Sequence, residues 1–123
     1  MLTYFLSCER EMLHSSLMEL AIRYFMRRGY RVDKPRFDES YSRNPRIDLI
    51  ATKQNRVHPV MIKNWKRTVG VNVVISLDKE SQDKGFSNPM LVAEKFSEHA
   101  KAYANRRGII LITKSEIIRE LMR

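Results

Sequence analysis

The sequence is poor in cysteine, histidine and glycine, and each shortage closes off a class of protein. One cysteine, Cys8, makes no internal disulfide, and the three histidines, His14, His58 and His99, match no zinc-ligand spacing. Disulfide scaffolds and zinc fingers are thereby excluded. The four glycines at 29, 70, 85 and 108 stand far apart, so there is no Gly-rich phosphate loop, and no nucleophile elbow or internal repeat is found either. No apolar run approaches the ~20 residues of a membrane span. The stretch from Met1 to Cys8 is too short for a secretory signal and lacks its basic start. These absences predict a cytoplasmic protein with no membrane partner. A chain of 123 residues, 43% hydrophobic and 30% charged, is sized for one domain, 1–123, with an ordinary core.

Acidic residues are also scarce, 14 against 23 basic ones, and the imbalance is local. Between Arg23 and Arg67 there are 13 basic and four acidic side chains, an excess of nine that equals the whole net charge of +9. The rest of the chain is neutral. Fourteen of the 23 basic residues are arginine, whose planar fork suits phosphate better than a point charge does. A concentrated basic surface attracts a polyanion by releasing counterions, so nucleic acid is the expected partner, ahead of an acidic protein or a membrane surface.

The coarse pattern is that of a small α/β domain with a mixed sheet and helices on both sides. From Glu9 to Arg28, apolar positions at Leu13, Leu17, Leu20, Ala21, Tyr24 and Phe25 predict an amphipathic helix that stops at Gly29. Tyr30 to Asp33 reads as a short strand, and Lys34 to Pro45 as an irregular, basic connection. Ile47 to Thr52 and Val57 to Ile62 are strand-like runs joined through Lys53 to Arg56, a hairpin in which Pro59 must sit where its missing N–H faces no neighbour. Val71 to Gln82 fits either a strand or a helix, with propensity favouring strand. Pro89 to Val92 is a short apolar run. A helix capped by Ser97 follows, ending in Arg106 and Arg107 before Gly108, with Ala100 and Ala104 small enough to lie close against a sheet. Ile109 to Ile112 is a buried-type strand, and Thr113 with Glu116 forms a capping box that opens a last helix through Leu121.

Asp48 stands inside a predicted strand, where a charge needs a metal, a partner or the end of the sheet to receive it. A hairpin turning through residues 53 to 56 pairs positions summing to about 110, which brings Asp48 to the neighbourhood of Ile62 and Lys63. A strand-end salt bridge and a catalytic pair both fit that spacing. Trp65, just after the second strand, either packs under the following helix or stacks on a base.

Ile47-Asp48-Leu49-Ile50-Ala51, then Val60-Met61-Ile62-Lys63-Asn64-Trp65-Lys66-Arg67, then Val69-Gly70-Val71, resembles the core of the Mrr-like branch of the restriction-endonuclease-like, PD-(D/E)xK, superfamily. Phe96-Ser97 with Ala100 and Ala104, and Gly108-Ile109 with Leu111-Ile112, are similar to that branch's closing helix, strand and helix. The resemblance implies a restriction-endonuclease-like α/β fold with a central mixed sheet of about five strands flanked by helices, and it favours helix for Val71 to Gln82. It further implies metal-dependent cleavage of DNA, with Mg²⁺ or Mn²⁺ held by Asp48 and water oriented or activated by Lys63. Phosphate contacts are expected from Arg43, Arg46, Lys66 and Arg67, and a two-fold dimer would suit cutting of both strands. Two positions depart from the family pattern. Met61 stands where the family has glutamate or glutamine, and a thioether is a poor ligand for a hard cation. Met18 occupies the place of a first-helix glutamate, leaving the adjacent Glu19 as the replacement metal ligand. A metal-dependent DNA endonuclease is therefore the leading expectation, and a DNA-binding module that keeps the nuclease fold but has lost turnover is the alternative.

Overall fold

Alternation along the strands and three-to-four spacing along the helices sort the apolar residues onto two faces of one sheet. The computed structural model describes residues 16–35 and 47–123. Within them run α1 (Leu17–Arg27), β1 (Arg31–Asp33), β2 (Leu49–Lys53), β3 (Arg56–Lys63), α2 (Val71–Asp83), β4 (Met90–Ala93), α3 (Glu98–Arg107), β5 (Ile110–Thr113) and α4 (Lys114–Leu121). The strands lie in chain order, β1-β2-β3-β4-β5. The first three pair antiparallel, and β3, β4 and β5 pair parallel. Parallel neighbours require crossover helices, which α2 and α3 supply. The architecture is the expected mixed five-stranded α/β sheet.

One face of the sheet buries Leu49, Ala51, Val60, Met90, Val92 and Ile112 against α1 and α4. The other buries Met61, Leu91 and Ala93 against α2 and α3, where Ala100 and Ala104 allow the close approach. Removing this apolar area from water supplies most of the stabilisation, at roughly 25 cal/mol per Å².

Several boundaries differ from the sequence reading, each for a local reason. The first helix does not run unbroken from Glu9: Ser16 is extended, with φ −65° and ψ 154°, and its side chain accepts a hydrogen bond from the Glu19 N–H, so α1 opens at Leu17. Residues 9–15 lie outside the described residues, as does most of the basic connection, 36–46. Val71–Asp83 is a helix against its strand propensity, because Val74, Leu77, Asp78 and Ser81 form one buried stripe at helical spacing. The β2–β3 loop is only Gln54 and Asn55, both with positive φ (52° and 66°), the geometry of a two-residue primed turn matching the twist of the strands. Pro59 pairs with Ile50 on β2, one residue before β4 begins to pair with β3 at Val60 and Met90. Its missing N–H therefore removes no bond to β4. The Ser97 and Thr113 caps form as expected, accepting from the N–H groups of Ala100 and Glu116.

Candidate nucleic-acid site at the strand ends

The hairpin pairs run from Lys53 with Arg56 to Leu49 with Val60, each summing to 109, close to the register expected from the sequence. Asp48 lies just past the last pair, beside Ile62 and within electrostatic reach of Lys63. Asp48 also stands just before β2 and not within it. Its N–H donates to the Val60 carbonyl at 2.8 Å, and its Oδ2 accepts from the Ile62 N–H at 2.7 Å. The carboxylate thus takes the place of a ladder carbonyl where the two strands part. Residues two apart on a strand share a face, so Lys63 lies with Met61 on the α2/α3 side, where both line one cavity. Burial pushes the Asp48 carboxyl above the ordinary value of 3.8, against the opposing pull of the Ile62 N–H and the Lys63 ammonium.

Asp48 and Lys63 form no ion pair. The Lys63 ammonium lies instead over Trp65, 5.0 Å from the ring centroid, and the Arg67 guanidinium lies over the same ring at 4.2 Å. Trp65 is half-buried and packs against the core on the α2/α3 side while holding these cations. Of the two pictures of the pair, the strand-end salt bridge is therefore absent. Beside it, Met61, Lys63, Val73 and Ser76 line a cavity of about 250 Å³. The connection from β3 to α2 is pinned by the Val69 N–H donating to the Lys95 carbonyl and the Ser97 N–H donating to the Val69 carbonyl. It keeps Lys66 and Arg67 exposed at the carboxyl ends of the parallel strands, where open α/β sheets receive ligands. Gly70 caps α2 without a side-chain hydrogen bond and no acid lies in its first turn, so the helix N-terminus adds positive potential there.

The remaining residues named from the sequence do not converge here. Arg43 and Arg46 lie outside the described residues. Glu19 is exposed near the start of α1, on the helix that packs against the opposite face of the sheet. Met18 packs against that same core. Among the described residues the donor set consequently does not fit Mg²⁺ or Mn²⁺: no group of three His, Cys, Asp or Glu side chains comes together, and Met61, two residues before Lys63, is a thioether that is only 1% exposed.

Sequence reasoning missed a second polar feature. Asp78 is 8% exposed within the α2 stripe and accepts from the Tyr103 hydroxyl at 2.8 Å and the Arg107 Nε at 2.9 Å, clamping α2 to α3. An acid falling in an otherwise apolar stripe was its signal.

Residues 9–121 match the family model Mrr_cat, described as restriction endonuclease. Three solved structures are similar in fold. A protein of unknown function shares 16% identity at a TM-score of 0.70, with 85% of this chain and 65% of that chain covered. EndoMS in a complex with double-stranded DNA shares 18% at 0.53, covering 80% and 44%. A repair endonuclease from Pyrococcus abyssi shares 17% at 0.57, covering 81% and 47%. The chain thus spans between 44% and 65% of these relatives' lengths. No curated protein sequence matches it. Among the described residues no helix is long and apolar enough to cross a membrane. With the mixed sheet, the strand-end aspartate and lysine, and a family match over nearly its whole length, the chain belongs to the Mrr_cat restriction endonuclease family.

Proposed function

We propose that the chain is a DNA-binding domain that keeps the restriction-endonuclease fold but does not itself cut. One observation supports the second half of this reading: Met61, two residues before Lys63 where the family pattern read from the sequence has an acidic or amide ligand, is a buried apolar side chain, 1% exposed. The first half is supported by the exposed Lys66 and Arg67 beside Lys63, by the uncapped N-terminus of α2 and by the net charge of +9. The DNA-bound state of EndoMS, a fold neighbour, agrees with duplex DNA as the partner. Phosphates lie along Lys66, Arg67 and the basic segment containing Arg43 and Arg46, and the domain engages a two-fold site as a homodimer.

The competing reading is a metal-dependent endonuclease with Asp48 and Glu19 as ligands and Lys63 acting on water. The Lys63 charge close enough to act on Asp48, and a half-buried carboxylate retained despite its desolvation, favour it. A gel shift and a plasmid-nicking assay with the same protein, Mg²⁺ and then Mn²⁺ being added, separate the two. Retardation without nicking supports the DNA-binding module. Nicking that disappears in Glu19→Gln and in Lys63→Ala supports the enzyme.

A further inference from the structure

The opposite end of the sheet holds a second cleft. It opens where β2 ends and β3, β4 and β5 begin, and its volume of about 350 Å³ exceeds the 250 Å³ beside Lys63. Lys53, Arg56, His58, Tyr30, Asn88 and Gly108 contribute to its walls, and no acid does. By contrast, the cleft between α1 and α4 mixes arginines with Glu116 and Glu120. Here the positive charge is uncompensated.

The walls are arranged in advance. Lys53 Nζ donates to the Arg28 carbonyl at 2.7 Å and lies 5.1 Å from the Tyr30 ring centroid, which fixes the ammonium and leaves further donors over. Arg56 leaves the two-residue turn and its guanidinium has no hydrogen bond or ion pair among the described residues. His58, 7% exposed, sits edge-on to Tyr30, and its Nδ1 donates to the Asn88 carbonyl at 3.0 Å. Its Nε2 is then the nitrogen left for a ligand. Asn88 holds φ 51°, a left-handed position at the rim, next to Gly108, whose φ of 71° closes α3.

We propose that this cleft is a second anion site, taking the phosphate group of a nucleotide or of DNA between Arg56 and Lys53. A phosphate offers the oxygens that a guanidinium fork and an ammonium bind together. The eight residues of β3 separate this cleft from the Lys63 end by about 23 Å at ~3.3 Å per residue, so it is a distinct site.

The test is an NMR titration of the full chain with inorganic phosphate and then deoxyadenosine monophosphate, together with anisotropy titration of a fluorescent duplex. Arg56→Glu sits on an exposed turn, and Asn88→Asp suits a left-handed residue, so both should keep the parent melting temperature. For a free nucleotide, amides of Gln54 to Arg56, Asn88 and Gly108 shift with the mononucleotide, and both variants weaken it by about tenfold. For a DNA phosphate, the small probes leave those amides still while both variants weaken duplex binding by about tenfold, with the parent response to Lys66→Ala retained. If no probe moves these amides and neither variant changes any affinity, the cleft is not an anion site. Loss of duplex binding through Lys66 and Arg67 alone would leave the reading of the other end intact while overturning this one.

Discussion

Asp48 keeps a charge that its surroundings disfavour. Burial raises its proton affinity more than the Ile62 N–H and Lys63 lower it. The folded state therefore binds the proton more tightly than the unfolded chain, and stability falls as the pH rises from the unfolded value near 3.8 through the folded one, the reduced level persisting at neutral pH. Asp48→Asn keeps an acceptor for Ile62 without the charge. Its melting temperature at pH 7 should equal or exceed that of the parent, and its pH profile in the window just above 3.8 should be flatter. A lower melting temperature at pH 7 would show the carboxylate to be a structural bridge. Met61 makes the complementary case: Met61→Leu conserves volume and should cost less than about 1.5 kcal/mol in denaturant unfolding. Met61→Glu puts a carboxyl into a site 1% exposed and should cost about 3 kcal/mol or more without divalent metal. Recovery of that loss by Mg²⁺ would show that Asp48 and the new carboxylate form a metal site.

At the scale of elements, caps, turns and clamps are each testable by one substitution. Asp78→Ala removes the acceptor shared by Tyr103 and Arg107 and should lower stability by roughly 1–3 kcal/mol in urea unfolding, with faster amide exchange in α3. Gln54→Asn relieves a positive φ in the turn and should raise stability by a few tenths to about 1 kcal/mol, read the same way. The same elements show what was legible in the sequence. Ser97, Thr113 and Gly108 mark helix ends by local chemistry, so α3 and α4 were placed correctly from neighbours a few residues apart. The α2 helix was not readable from propensity, because burial of Val74, Leu77, Asp78 and Ser81 against α3 is a long-range effect. The hairpin was legible because the two strand-like runs flank a short polar stretch, and its pairs sum to 109, so Asp48 comes beside Ile62 and Lys63 as the spacing implied. The anion cleft was invisible because Tyr30, His58 and Asn88 come from three separate segments.

For the whole molecule, charge is the functional variable. The excess of nine is confined to Arg23 through Arg67, whose described part includes the Lys63 end of the sheet, so duplex affinity should fall steeply with salt. Replacing Lys66 and Arg67 together by alanine should reduce the slope of log K against log salt by about two, while replacing Lys95 and Lys101 should leave it nearly unchanged. Equal effects from both pairs would make the attraction a property of net charge alone. The central claim is that the domain binds DNA at the strand ends without the ligands needed to cut it. A supercoiled plasmid incubated with saturating parent protein and Mn²⁺, then stripped of protein and resolved for nicked and linear forms, tests this most directly. The account predicts full retardation before stripping and unchanged supercoiled DNA after it, and nicking by the parent that Lys63→Ala abolishes would contradict it.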